Sequence, residues 1–194
     1  ALGEITKEYF TIAVAGTHGK TTTTSLVASI FYHSAMNPTI VIGGRFDLIN
    51  STAHLGDGEW LIAEADESDG SFHKLTPEIA IITNIDSDHL DHFKTFENLQ
   101  KSFYDFALKV PFYGVTIACG DDPEVRKLFE KFPKRIIFYG FDARNDIVVE
   151  GEKGHYSLFQ AENFFNLPSW KGPGRQKFLE MNLLVPGKHN ALNA

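Results

Sequence analysis

A single cysteine, Cys119, leaves the chain unable to form an internal disulfide, and a reducing compartment such as the cytoplasm fits such a sequence. Cys119 follows the apolar run Val115-Thr116-Ile117-Ala118 and reads as a small buried hydrophobe rather than a nucleophile. No stretch approaches the roughly 18 consecutive apolar residues of a membrane span. Excess positive charge is missing too. Against 25 Asp and Glu stand 18 Lys and Arg, a formal net charge of −7, which argues against the basic stripe of a nucleic-acid binder. Anionic ligands are not excluded, because a few placed cations and backbone amides hold a phosphate against a negative background. There is no internal repeat, no low-complexity tract and no signal peptide. The first residue is Ala1 and the last lie just after an apparent helix start, so both ends read as cuts in a larger protein.

Phenylalanine is what the chain has in quantity, 17 in 194 residues, and core packing is the reading for most of them. That length and a hydrophobic fraction of 43% suit one globular domain with a full core. Short apolar runs alternate with helical patterns along most of the chain. Strands are predicted at 10–15, 39–42 (closed by Gly43-Gly44), 60–63, 79–83, 115–118 and 135–139. Helices are predicted from Lys20 to about His33, with Leu26, Val27, Ile30 and Phe31 on one face, and over 96–108. A third helix starts at Asp121-Asp122-Pro123, an acidic cap followed by proline in the first turn. This alternation predicts an α/β fold, a mostly parallel sheet flanked by helices. After about residue 145 the pattern changes to strands without helices (147–149, 155–159, 178–183), read as a small antiparallel β appendage. Residues 166–177, with Lys171, Arg175 and Lys177, read as a mildly basic solvated loop.

The sharpest motif is Gly16-Thr17-His18-Gly19-Lys20-Thr21-Thr22, between a strand and a helix, where a phosphate loop belongs. Glycines let the backbone turn its N–H groups inward, and the helix that follows presents its positive end to an anion. Lys20 is placed to reach the β- and γ-phosphates, and the Thr21 hydroxyl to ligate Mg2+. The full phosphate-loop pattern would put its first glycine where Val14 stands, so this is a shortened variant. Two more polar loops follow apolar strands, Glu64-Ala65-Asp66-Glu67-Ser68-Asp69-Gly70 and Thr83-Asn84-Ile85-Asp86-Ser87-Asp88-His89-Leu90-Asp91-His92. Ligands of open α/β sheets bind beyond the carboxyl ends of strands, so both loops are expected to converge on the phosphate loop. Glu64, which directly ends a strand, is the first candidate for Mg2+, and His89 for a second metal through a neutral imidazole. Asp66, Asp69, Asp86 and Asp91 read singly as helix caps and loop hydrogen-bond acceptors.

These three motifs and Pro186-Gly187-Lys188-His189-Asn190-Ala191-Leu192-Asn193, in that order, resemble the central domain of the Mur ligases from about residue 10 to residue 194, nearest to the alanine-adding branch. The resemblance implies ATP and Mg2+ as cofactors. It makes Gly16, Thr17, His18, Gly19, Lys20, Thr21 and Thr22 the nucleotide loop, and Lys20, Glu64 and His89 the catalytic residues. Lys20 would contact the transferred γ-phosphate; Thr21 and Glu64 would hold one Mg2+, Glu64 and His89 a second. His189, Asn190 and Asn193 would lie near adenine. UDP-N-acetylmuramate and L-alanine are the implied substrates. Flanking UDP-binding and amino-acid-binding domains would be absent from this chain, which alone would bind ATP weakly without ligating. Some members of the family carry a carbamylated lysine about fifteen residues past the metal histidine; Lys101 is out of register for it. A murein-peptide recycling ligase, a folylpolyglutamate-type ligase and a phosphate-loop nucleotide switch remain as alternatives.

Overall fold

The structure, a computed structural model, describes residues 2–66, 71–87, 93–160, 176–183 and 188–193. The chain opens with α1 (Leu2–Ile5), β1 (Phe10–Ala15), α2 (Lys20–His33), β2 (Thr39–Phe46), β3 (Ser51–His54) and β4 (Trp60–Glu64). A 3-10 turn (Ser71–Lys74), β5 (Ile79–Ile82), α3 (Phe96–Ala107), β6 (Val115–Cys119), α4 (Pro123–Phe129) and β7 (Ile136–Gly140) follow. The last described elements are β8 (Ile147–Glu152), β9 (His155–Gln160), β10 (Gln176–Asn182) and α5 (Lys188–Asn193).

All ten strands join one sheet in the order β10-β9-β8-β7-β6-β5-β1-β4-β2-β3. The stretch from β2 to β8 is parallel, with β1 inside it between β4 and β5. A strand covered on both faces reads as an unbroken apolar run, and Thr11 to Ala15 are all buried. Successive residues of β1 point to opposite faces. Ala13 and Ala15 join a cluster with Phe72, Phe103, Phe106 and Phe129 beneath α3 and α4. Ile12 joins Ile40, Ile62 and Ala28 beneath α2. The chain after β1 therefore winds to one face and the connections beyond β5 to the other. That reversal falls at the carboxyl ends of β1 and β5, the place where open α/β sheets bind ligands.

Two sequence expectations are corrected here, and a third is met. The second strand does not close at Gly43-Gly44 but runs through them to Phe46, turning back as the unforeseen antiparallel edge strand β3. The antiparallel strands expected after residue 145 are present: β8 pairs parallel with β7, and β9 and β10 extend the same sheet antiparallel. Helix α2 is turned from its expected face. Thr23, Thr24 and Ala28 are buried and Val27 and Phe31 pack with them, whereas Ile30 is 59% exposed. The small residues at 24 and 28 let the helix sit close to the sheet, at the i, i+4 spacing of one face. Cys119 is buried, and burial pushes its thiol pKa up, as an inert core cysteine requires. The basic loop read over 166–177 lies mostly outside the described residues.

Candidate functional site

Helix α2 begins without a side-chain cap. Its N-cap residue is Gly19, at φ 80°, which has no side chain to accept from the first-turn N–H groups. Those donors have no acceptor within the helix, so they face outward with the positive end of the helix dipole. The left-handed backbone at Gly19 suits glycine, and a Cβ there would also meet the Asn193 amide at 2.7 Å. Asn193 on α5 is thereby brought against the phosphate loop, and Asn190 is half-buried on the same helix.

The Lys20 side chain folds back over the loop, its Nζ 2.8 Å from the Gly16 carbonyl and 3.5 Å from that of Thr17. One residue along, the Thr21 hydroxyl donates to Glu64 Oε1 at 3.0 Å. Glu64 ends β4, next to β1 in the sheet, and its other oxygen accepts from the Gly43 N–H at 2.8 Å. Gly43 is what allows that approach, since a Cβ there would stand 3.2 Å from the carboxylate. Two strand ends and a helix thus place a hydroxyl and a carboxylate side by side at the head of the loop. Thr22 is exposed.

The chain leaving β5 converges on the phosphate loop as expected, but through partners that the sequence reading did not single out, Thr83 and Asn84. The loop is strapped to the chain leaving β5. The Asn84 side chain binds the His18 backbone twice: Oδ1 accepts from the His18 N–H and Nδ2 donates to the His18 carbonyl, each at 2.8 Å. The Thr83 hydroxyl donates to the same carbonyl at 2.7 Å. Thr17 N–H donates to the Asn84 carbonyl at 3.2 Å, and Thr17 Oγ1 accepts from the Asp86 N–H at 2.9 Å. Gly16 packs so closely on this strap that a Cβ would fall 2.0 Å from Thr83 Oγ1. In the sequence these residues stand about 65 positions from the loop (66 for Asn84 and His18), and only the β1–β5 pairing joins them. A polar Thr-Asn pair ending a buried strand was the available signal.

His18 is exposed, with Nε2 3.7 Å from Asp86 Oδ2. The Ser87 N–H, foremost, and then the hydroxyl of Ser87 and His18 hold the Asp86 carboxyl below its ordinary range, so Asp86 is a loop acceptor as read. Lys101 pairs with Asp105 at 3.0 Å on the surface of α3. His89, Asp69 and Asp91 lie outside the described residues, and so does the side chain of His189. Among the described residues no helix is long and apolar enough to cross a membrane, and no group of three metal-ligating side chains is assembled.

Strand, glycine turn, lysine-opened helix and a carboxylate at the next strand end define the class: a phosphate-loop α/β domain. The chain belongs to the Mur ligase family, whose middle domain matches residues 14–194. It is 66% identical over its whole length to a UDP-N-acetylmuramate–L-alanine ligase of Bdellovibrio bacteriovorus, and 45% identical to one of Syntrophotalea carbinolica. It spans 41% and 40% of their lengths. Its fold is that of a UDP-N-acetylmuramate–alanine ligase of Thermotoga maritima, with a TM-score of 0.75 at 26% identity over 98% of this chain and 40% of that one. It also matches a tripeptide-adding ligase from Neisseria meningitides, TM-score 0.82 over 99% of this chain and 61% of that one; at 21% identity the likeness is one of fold.

Proposed function

We propose that this chain is the ATP-binding part of an enzyme that joins L-alanine to the carboxylate of UDP-N-acetylmuramate in peptidoglycan precursor synthesis, in the cytoplasm. The observation that carries the reading is the 66% identity over the whole chain to a ligase of that name. The muramyl carboxylate attacks the γ-phosphorus of ATP, the bond to ADP breaks, and an acyl phosphate forms. The amine of L-alanine then attacks the acyl carbon, phosphate leaves with the bonding pair, and the amine proton passes to solvent. The protein's part is positioning and neutralisation of charge. The uncapped first turn of α2 receives the phosphates, and Lys20 moves from its carbonyl partners to the γ-phosphate.

Thr21 and Glu64 are hard oxygen donors of the kind Mg2+ takes, and their contact at 3.0 Å fits them to hold one ion together. Bound there, Mg2+ offsets repulsion between the triphosphate and the attacking carboxylate. His89 is proposed, with Glu64, for a second ion, and His189, Asn190 and Asn193 for the adenine end. The UDP-binding and amino-acid-binding parts are proposed to lie outside residues 1–194, so this chain alone is expected to bind ATP without ligating.

Phosphate release by the full-length enzyme, with ATP, Mg2+ and UDP-N-acetylmuramate, tests the reading. Release that depends on L-alanine is expected. Release only with the tripeptide L-Ala-γ-D-Glu-meso-diaminopimelate would assign the chain to the recycling branch, and release with neither would end the ligase reading.

A further inference from the structure

The strap on the phosphate loop has a consequence for which groups can meet a nucleotide. A glycine-rich loop at a helix start ordinarily points backbone N–H groups at the anion. Here the Thr17 N–H is taken by the Asn84 carbonyl and the His18 N–H by Asn84 Oδ1. The His18 carbonyl, whose negative end would repel phosphate if it turned inward, is held by both Asn84 Nδ2 and the Thr83 hydroxyl. Asn84 Nδ2 also donates to Thr83 Oγ1 at 3.2 Å, so the amide is fixed on both of its polar atoms.

We propose that Asn84 is a positioning residue for the nucleotide: its two-point clamp on His18 turns that peptide away from the phosphates and leaves the first turn of α2, from Gly19 to Thr22, to cradle them. An amide is the group this clamp needs, because it donates and accepts in one plane at matched separation, as a peptide in a β-ladder does. Aspartate can accept from the N–H but cannot donate to the carbonyl, and alanine can do neither. Asn84 acts through the loop backbone and belongs to the same strap as Asp86, which fixes Thr17. The proposal rests on the reading of this loop as an ATP site.

Two measurements test it. The first is amide hydrogen exchange at His18 in the unaltered chain without nucleotide. His18 is exposed, so its N–H exchanges freely unless Asn84 holds it; protection is expected, and free exchange would overturn the clamp whatever the loop binds. The second is titration with MgADP and with adenosine, comparing the unaltered chain with Asn84→Ala. Loss of two hydrogen bonds that preorganise the loop is expected to weaken MgADP on the order of tenfold while adenosine binding stays unchanged. Equal MgADP affinity in a folded variant would overturn the proposal, as would equal losses for both ligands, which mark general loosening. If Asn84→Ala does not fold, Asn84→Asp, nearly the same shape, carries the comparison with the same expected split. Failure of the unaltered chain to bind MgADP would count against the ATP reading, and His18 exchange would still decide on the clamp.

Discussion

Lys20 shows how much of the site rests on single side chains. Its Nζ bridges the Gly16 and Thr17 carbonyls, so the loop holds the cation in place before any phosphate arrives. If the proposed function holds, Lys20→Ala is expected to lower alanine-dependent phosphate release by about 100- to 1000-fold, the usual cost of removing a donor aimed at developing charge. A smaller loss of thermal stability should accompany it, since the site is half exposed. Glu64→Gln keeps the shape and an acceptor for the Gly43 N–H but removes the charge. The enzyme should then need more Mg2+ for half-maximal activity, read by titrating Mg2+ at fixed ATP; an unchanged requirement would overturn the proposed metal role of Glu64. Gly19→Ala acts through the backbone. The left-handed conformation costs a side-chain-bearing residue about 1–2 kcal/mol, and Asn193 must move. Weaker ATP binding with an intact melting transition is the expected result.

At the scale of elements, the helices away from the site are capped as α2 is not. Thr95 accepts from the Asn98 N–H at the start of α3, and Asp122 from the Val125 N–H at the start of α4. Thr95→Ala should cost about 1 kcal/mol in denaturant unfolding with no change in ATP binding. Asp121, read with Asp122 as one acidic cap, does something else. Its carboxylate accepts from the Phe141 and Asp142 N–H groups and the Asn145 amide, tying the end of β6 to the turn after β7. In that turn the Arg144 guanidinium and N–H hold the Asp142 carboxyl well below its unfolded value of 3.8. The unfolded chain therefore takes up this proton at higher pH than the folded one. Stability from the pair is complete above the unfolded value and is lost as pH falls through it toward the folded value. Asp142→Asn should flatten this part of acid unfolding, measured as melting temperature against pH below 4 or so.

The whole molecule depends on one sheet with unlike faces. Under α3 and α4 the phenylalanines form a dense aromatic layer, in which Phe72 and Phe106 stack with centroids 4.4 Å apart and Phe103 meets Phe72 edge-on. Phe106→Ala should destabilise by about 3–5 kcal/mol, a large part of a domain's total stability. Guanidinium unfolding is expected to show this as a shifted midpoint with an unchanged slope. Beneath α2, threonine and alanine lie at the contact beside Val27 and Phe31, and the helix is brought close enough for its first turn to stand beside β4 and β2.

The sequence by itself determined the elements that depend on local chemistry. The glycine turn before Lys20, the Pro123 helix start, the unbroken apolar strands and the aromatic face of α3 all follow from residues within a turn or two of one another. It also marked Lys20, Thr21 and Glu64, because a cation and a hydroxyl opening a helix after a glycine turn, and a carboxylate ending a strand, have few structural uses. Only the tertiary structure decided what depends on strand order. That β5 lies beside β1 is set by packing across the whole sheet, and it alone brings Asn84 to His18. That β4 lies on the other side brings Glu64 to Thr21. The rotation of α2 was likewise settled by the sheet beneath it, which admits Thr24 and Ala28 more closely than Leu26 and Ile30. Periodicity within one helix carries no record of the surface it will meet.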